Sequence, residues 1–137
     1  MRKFLIISHG EFAGGLRSAL ELITGVTDVT VLQAYVDGNR PVEEEIAALL
    51  RGAGAGEEWI VFTDLLGGSV TNQVLRVAAA IGVADRVHIV AGINLPLVIE
   101  VVMADPGRPV KEVLAEAIGL ARDQLVYVND LIHNNND

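Results

Sequence analysis

A chain of 137 residues, 51% hydrophobic and 20% charged, is sized for one domain with a substantial core. It has no cysteine, which excludes a disulfide scaffold and a thiolate metal site. Its net charge of −8 argues against nucleic acid, whose binding rests on Lys and Arg neutralising phosphates, and favours a basic protein partner. The apolar run Phe4 to Ile7 is too short for a signal-peptide core, and no segment approaches the ~18 apolar residues of a membrane span. A soluble, cytoplasmic protein is therefore expected, and with only 4% aromatic residues it has few rings to stack on bases or flavins.

Apolar runs of strand length alternate with helical spacing, the pattern of an α/β chain built on a parallel sheet. Strand one is expected at about Lys3 to Ser8. Helix one follows from about Glu11 to Thr24, with Leu16, Ala19, Leu20 and Ile23 on one face and Gly25 as its stop. Strand two runs from Val29 to Tyr35 and ends in the turn pair Asp37-Gly38. Pro41 opens helix two, whose Glu43-Glu44-Glu45 suits the positive end of the helix dipole. Gly52 to Gly56 is a connector too short to divide domains.

Strand three, Trp59 to Thr63, is apolar throughout, as expected of a strand covered on both faces. Ser69 reads as the N-cap of helix three, which buries Val70, Val74, Val77, Ala78 and Ile81. Strand four spans Val87 to Ala91, and Pro96 opens a short helix ending near Ala104. After the break Asp105-Pro106-Gly107 comes a long helix from about Val110 to Asp123. Leu125 to Val128 reads as a short final strand. Residues 1–130 then form the single domain, and 131–137 a polar tail ending in a disordered Asn134 to Asp137.

In such a topology the segments after parallel strands meet at one edge of the sheet, where open α/β folds place their ligands. That edge receives His9, the loop Asp64 to Ser69, and the loop Gly92 to Pro96. A neutral imidazole is a nucleophile if its second nitrogen is held by an acceptor. Here His9 is the candidate nucleophile and Asp64 the candidate orienting group. Gly67 and Gly68 allow close main-chain approach, Ser69 adds a hydroxyl, and amides at a helix start suit phosphoryl oxygens.

Each of these residues also has an ordinary role: Asp64 as a turn cap, Gly67 and Gly68 as loop, Ser69 as a helix cap, Asn94 as a left-handed turn residue. Their shared edge is what favours the joint reading. Phe12, Leu65 and Leu66, with Asn94, form a candidate apolar rim for a partner protein. His88 falls inside strand four and His133 in the tail. No spacing resembles a metal-ligand motif, so neither metal nor cofactor is expected.

Three segments together resemble the IIA component of the mannose-type phosphoenolpyruvate-dependent sugar phosphotransferase system, along nearly the whole chain. They are Ile7-Ser8-His9-Gly10, Phe62 to Ser69, and Val90 to Pro96. The resemblance implies that His9 is phosphorylated on Nε2 by the phosphocarrier protein HPr and passes the group to a IIB component. It implies that Asp64 bonds the other ring nitrogen, and that Ser69 and nearby amides hold the phosphoryl oxygens. It also implies a doubly wound sheet of parallel order 2-1-3-4, with a short antiparallel C-terminal strand exchanged in a homodimer. The run Leu125 to Val128 stands where that strand would be. So few residues follow it that no fused IIB domain is expected, and contact with the membrane would be indirect, through the transporter complex.

The mannose transporter's own version has Trp at Leu66 and Pro-Phe at Val70-Thr71. Sugar class and the matching IIB protein therefore stay open. Two rivals share the fold class: a phosphohistidine relay that regulates a cytosolic kinase or a transcription regulator, and a flavodoxin-like ligand-binding module.

Overall fold

The computed structural model describes residues 2–36, 41–52, 54 and 56–136, with side chains through Ile132. The expected turn pair Asp37-Gly38 lies outside them, as do Ala53 and Ala55 of the glycine-rich connector and the side chain of His133.

Strand residues alternate between two faces, and here each face has its own core. The strands are β1 (Arg2–His9), β2 (Val29–Ala34), β3 (Glu58–Thr63) and β4 (Val87–Val90). Ile6 of β1 and Ile60 and Phe62 of β3 face one layer. It holds α1 (Phe12–Thr24), α4 (Leu95–Val102) and α5 (Val110–Asp123) through Leu20, Val98 and Val113. Leu5 and Ile7 of β1 and Trp59 and Val61 of β3 face the other. It holds α2 (Val42–Arg51) and α3 (Ser69–Ala80) through Ile46, Leu50 and Val74. Burying each such side chain contributes about 1.5–3 kcal/mol, so two facing cores order both helical layers on one sheet.

The sheet is parallel throughout, in the order β2-β1-β3-β4, as the resemblance implies. In its register Ile7 pairs with Thr63 and His9 with Ala34. The residues that follow β2 and β3 therefore leave the sheet beside the end of β1.

Helix boundaries follow local chemistry. Gly25 ends α1 in the left-handed region at φ 77°, and its N–H donates to Glu21 O at 2.8 Å. At the start of α1, Glu11 gives no side-chain cap. The buried Ser8 Oγ instead accepts the Ala13 N–H at 2.7 Å and ties the strand to the helix that follows it. His88 is a partly buried strand residue with Nε2 3.5 Å from Glu58 Oε1.

The C-terminal end departs from the sequence reading. Leu125 to Tyr127 have no regular structure, and a helix, α6 (Val128–Asn136), replaces both the final strand and the disordered tail, crossing the boundary drawn at 130. A strand needs a sheet edge to bond to. Among the described residues this segment pairs with no strand: α5 closes with turn bonds from Gln124 N to Ala121 O and from Leu125 N to Arg122 O, and the chain enters α6 without joining the sheet.

Candidate active site

His9 ends β1, and Asp64 is the first residue after β3, its neighbour in the sheet. Asp64 Oδ2 accepts the main-chain N–H of His9 at 2.8 Å. The same oxygen lies 3.0 Å from His9 Nδ1, and Oδ1 lies 3.3 Å from it. Burial pushes the Asp64 carboxyl upward, but the hydrogen bonds from the His9 amide and imidazole outweigh it and hold the group below its ordinary value. Asp64 is therefore ionised at neutral pH. A carboxylate only accepts, so in the neutral ring Nδ1 carries the proton and the lone pair sits on Nε2. Among the described residues Nε2 has no hydrogen-bond partner, and the His9 side chain is 39% exposed. The ring thus presents an oriented, accessible nucleophile.

The free side of the ring meets the start of α3. Gly68 is the extended N-cap residue, at φ −86° and ψ 164°. A Cβ there would stand 3.2 Å from His9 Cε1 and 3.4 Å from Leu65 Cβ, so glycine lets the loop approach the ring without displacing it. No side chain caps α3, which leaves the amides of its first turn to a ligand or water.

Ser69 is not the N-cap; it is the first residue of α3, and its Oγ lies 2.8 Å from Tyr35 Oη. Gly67 is exposed in the loop. Thr71 anchors that loop from below. Its hydroxyl donates to Leu65 O at 2.7 Å, so the buried Thr63 hydroxyl, also 2.7 Å away, is the donor to Thr71.

Phe12, Leu65 and Leu66 are exposed large apolar residues, two on the Asp64 loop and one opening α1. Asn94 does not join them as a free polar group. It adopts extended geometry at φ −131° and caps α4, accepting from Leu97 N at 3.0 Å and donating to Ala121 O at 3.2 Å. The left-handed position of that loop belongs to Gly92 at φ 68°. Among the described residues there is no cluster of three His, Cys, Asp or Glu that could hold a metal ion.

Sequence reasoning missed Tyr35. Its ring centroid is 5.6 Å from that of His9 at 31°, beside the proposed nucleophile. It is also the one non-glycine residue with positive φ (66°) among the described residues, a conformation that costs on the order of 1–3 kcal/mol. Its place directly after an apolar strand was the available signal, since β2 neighbours β1.

Residues 3–118 match the family model of the fructose IIA component of the phosphotransferase system. The chain belongs to this IIA family. A sorbose-specific IIA component from Klebsiella pneumoniae is 30% identical over 102 residues, covering 72% of this chain and 70% of that protein. A K. pneumoniae crystal structure with a provisional assignment as a phosphoenolpyruvate-dependent sugar phosphotransferase system permease superposes with a TM-score of 0.87. It is 32% identical and covers 96% of this chain and 93% of its own. A mannose/sorbose-specific IIA subunit from Enterococcus faecalis superposes with a TM-score of 0.74 at 26% identity, covering 92% and 93%. This IIA chain is thus a sugar phosphotransferase component. Among its described residues no helix is long and apolar enough to cross a membrane.

The lowered Asp64 value carries a sign. Its bonds stabilise the fold fully above the ordinary aspartate value of 3.8 and lose that contribution as pH falls through the lowered folded value. Urea unfolding of wild type and Asp64→Asn should differ most at neutral pH, with the gap closing in acid. A gap that is constant down to acid pH contradicts the assignment.

Proposed function

We propose that this IIA component carries a phosphoryl group on His9 Nε2, taking it from phospho-HPr and giving it to a IIB component for sugar uptake. The observation that carries the reading is the pairing of His9 Nδ1 with the Asp64 carboxylate at 3.0 Å while Nε2 stays free. The N–P bond on the donor imidazole breaks as the Nε2–P bond forms. The proton on Nδ1 stays, and the ring becomes cationic. The carboxylate offsets that charge, and the uncapped amides of α3 face the charge on the phosphoryl oxygens. Return transfer to IIB reverses each change. Phe12, Leu65 and Leu66 give the site an apolar rim on which both partners can seat, and the chain's net charge of −8 favours basic partner faces.

The chain also offers a route to the homodimer. The outer edge of β4 has no strand beside it among the described residues. A groove of about 670 Å³ runs along it, lined by Leu66, Leu75, Ile89, Val90 and Leu125 among others. The C-terminal segment leaves Leu125, Tyr127 and Ile132 exposed at 85%, 67% and 56%, apolar surface that a second copy would cover. In sedimentation the full chain should run as a dimer and a chain ending at Gln124 as a monomer. A monomeric full chain, or a dimeric truncated one, removes the exchange.

Incubation with phosphoenolpyruvate, enzyme I and HPr should place acid-labile label on His9. His9→Ala should take none, and Asp64→Asn should accept it more slowly with its fold intact. Label on the His9→Ala chain would reassign the site.

A further inference from the structure

We infer that Tyr35 is a positioning residue for phosphoryl transfer, acting through the hydroxyl of Ser69; this rests on the His9 reading above. The two hydroxyls are 2.8 Å apart, and either can donate. Each has one proton. If Ser69 donated to Tyr35, it would turn only lone pairs toward a dianionic phosphoryl group. If Tyr35 donates to Ser69 Oγ, the serine proton is left for a phosphoryl oxygen. An arriving phosphoryl group selects the second arrangement, and a phenol is the better donor for it. The chain Tyr35–Ser69–phosphoryl oxygen then polarises along its length.

The backbone builds this contact deliberately. β2 ends at Ala34, whose carbonyl accepts the Gly10 N–H at 3.0 Å, so the turn after β1 is bonded to the last residue of β2. The left-handed bend at Tyr35 (φ 66°) then sets its ring near His9 and its hydroxyl on Ser69. A left-handed tyrosine where a glycine would be free of strain, making two contacts to the site, is more than a loop filler. In the transfer itself the donor N–P bond breaks and the Nε2–P bond forms. No proton leaves Tyr35 or Ser69; their protons only reorient.

The test is quenched-flow transfer from phospho-HPr with wild type, Tyr35→Phe, Ser69→Ala and the double variant. Tyr35→Phe keeps the ring and loses only the hydroxyl. It should lower kcat by roughly 3- to 10-fold at unchanged KM, the effect of one neutral hydrogen bond. The double variant should be no slower than Ser69→Ala, because Tyr35 acts only through that serine. A labelled wild type with an unaffected Tyr35→Phe variant, or losses that multiply in the double variant, overturns the role of Tyr35 alone. A wild type that takes no label on His9 overturns the phosphotransfer reading, and this inference with it.

Discussion

One carboxylate takes two hydrogen-bond donors from one residue. Asp64 accepts both the main-chain amide and the Nδ1 of His9, fixing the position of the strand end and the tautomer of the ring together. Either bond alone would leave a freedom: a ring held only by its side chain can shift with its backbone, and a backbone held alone leaves the ring to rotate. The parallel register makes the double contact possible, because β1 and β3 are neighbours and Asp64 leaves β3 beside His9. The sheet order is in this sense part of the chemistry.

The polar groups of the interior are placed to support that contact. The fully or nearly buried polar side chains among the described residues are Ser8, Thr63 and Thr71. Ser8 sits next to His9 and holds α1. Thr63 sits next to Asp64 and bonds Thr71, which in turn holds the loop at Leu65. Elsewhere the two cores are built of hydrophobic residues, Trp59 among them with a buried indole N–H that has no partner among the described residues. A buried hydroxyl without a partner costs about 1–3 kcal/mol, so these three persist where each has a bond to make. They fix the strand ends and the loop in the unliganded fold, which is how a site presents fixed dipoles without reorganising.

Much of this was legible in the sequence, for stated reasons. Short apolar runs and period-3.6 patterns located the four strands and first five helices to within a few residues, because both faces of the sheet are buried and each helix shows its apolar side. His9, Asp64 and Gly68 were legible as strand-end and loop residues of one edge. Tyr35 was not, since a tyrosine ending an apolar run reads as strand, and its bend depends on tertiary bonding. Ser69 read as a cap because serine before a helix usually is one; its hydroxyl instead faces a residue 34 positions away. Asn94 read as rim because its partner, Ala121, is distant in sequence. Leu125 to Val128 carries strand-like composition, but composition does not supply the neighbouring strand that a ladder requires.

Val70 and Thr71, which differ from the mannose transporter's own version, have structural roles: Val70 is fully buried and Thr71 braces the loop. The central claim is narrower than any of these: the carboxylate of Asp64 sets which ring nitrogen of His9 is free. Nitrogen NMR of the unphosphorylated protein with labelled histidine, at a pH where the ring is neutral, reads this directly. The account predicts a protonated Nδ1 and a bare, pyridine-like Nε2 for His9. A proton on Nε2, or an even mixture of the two tautomers, would contradict it.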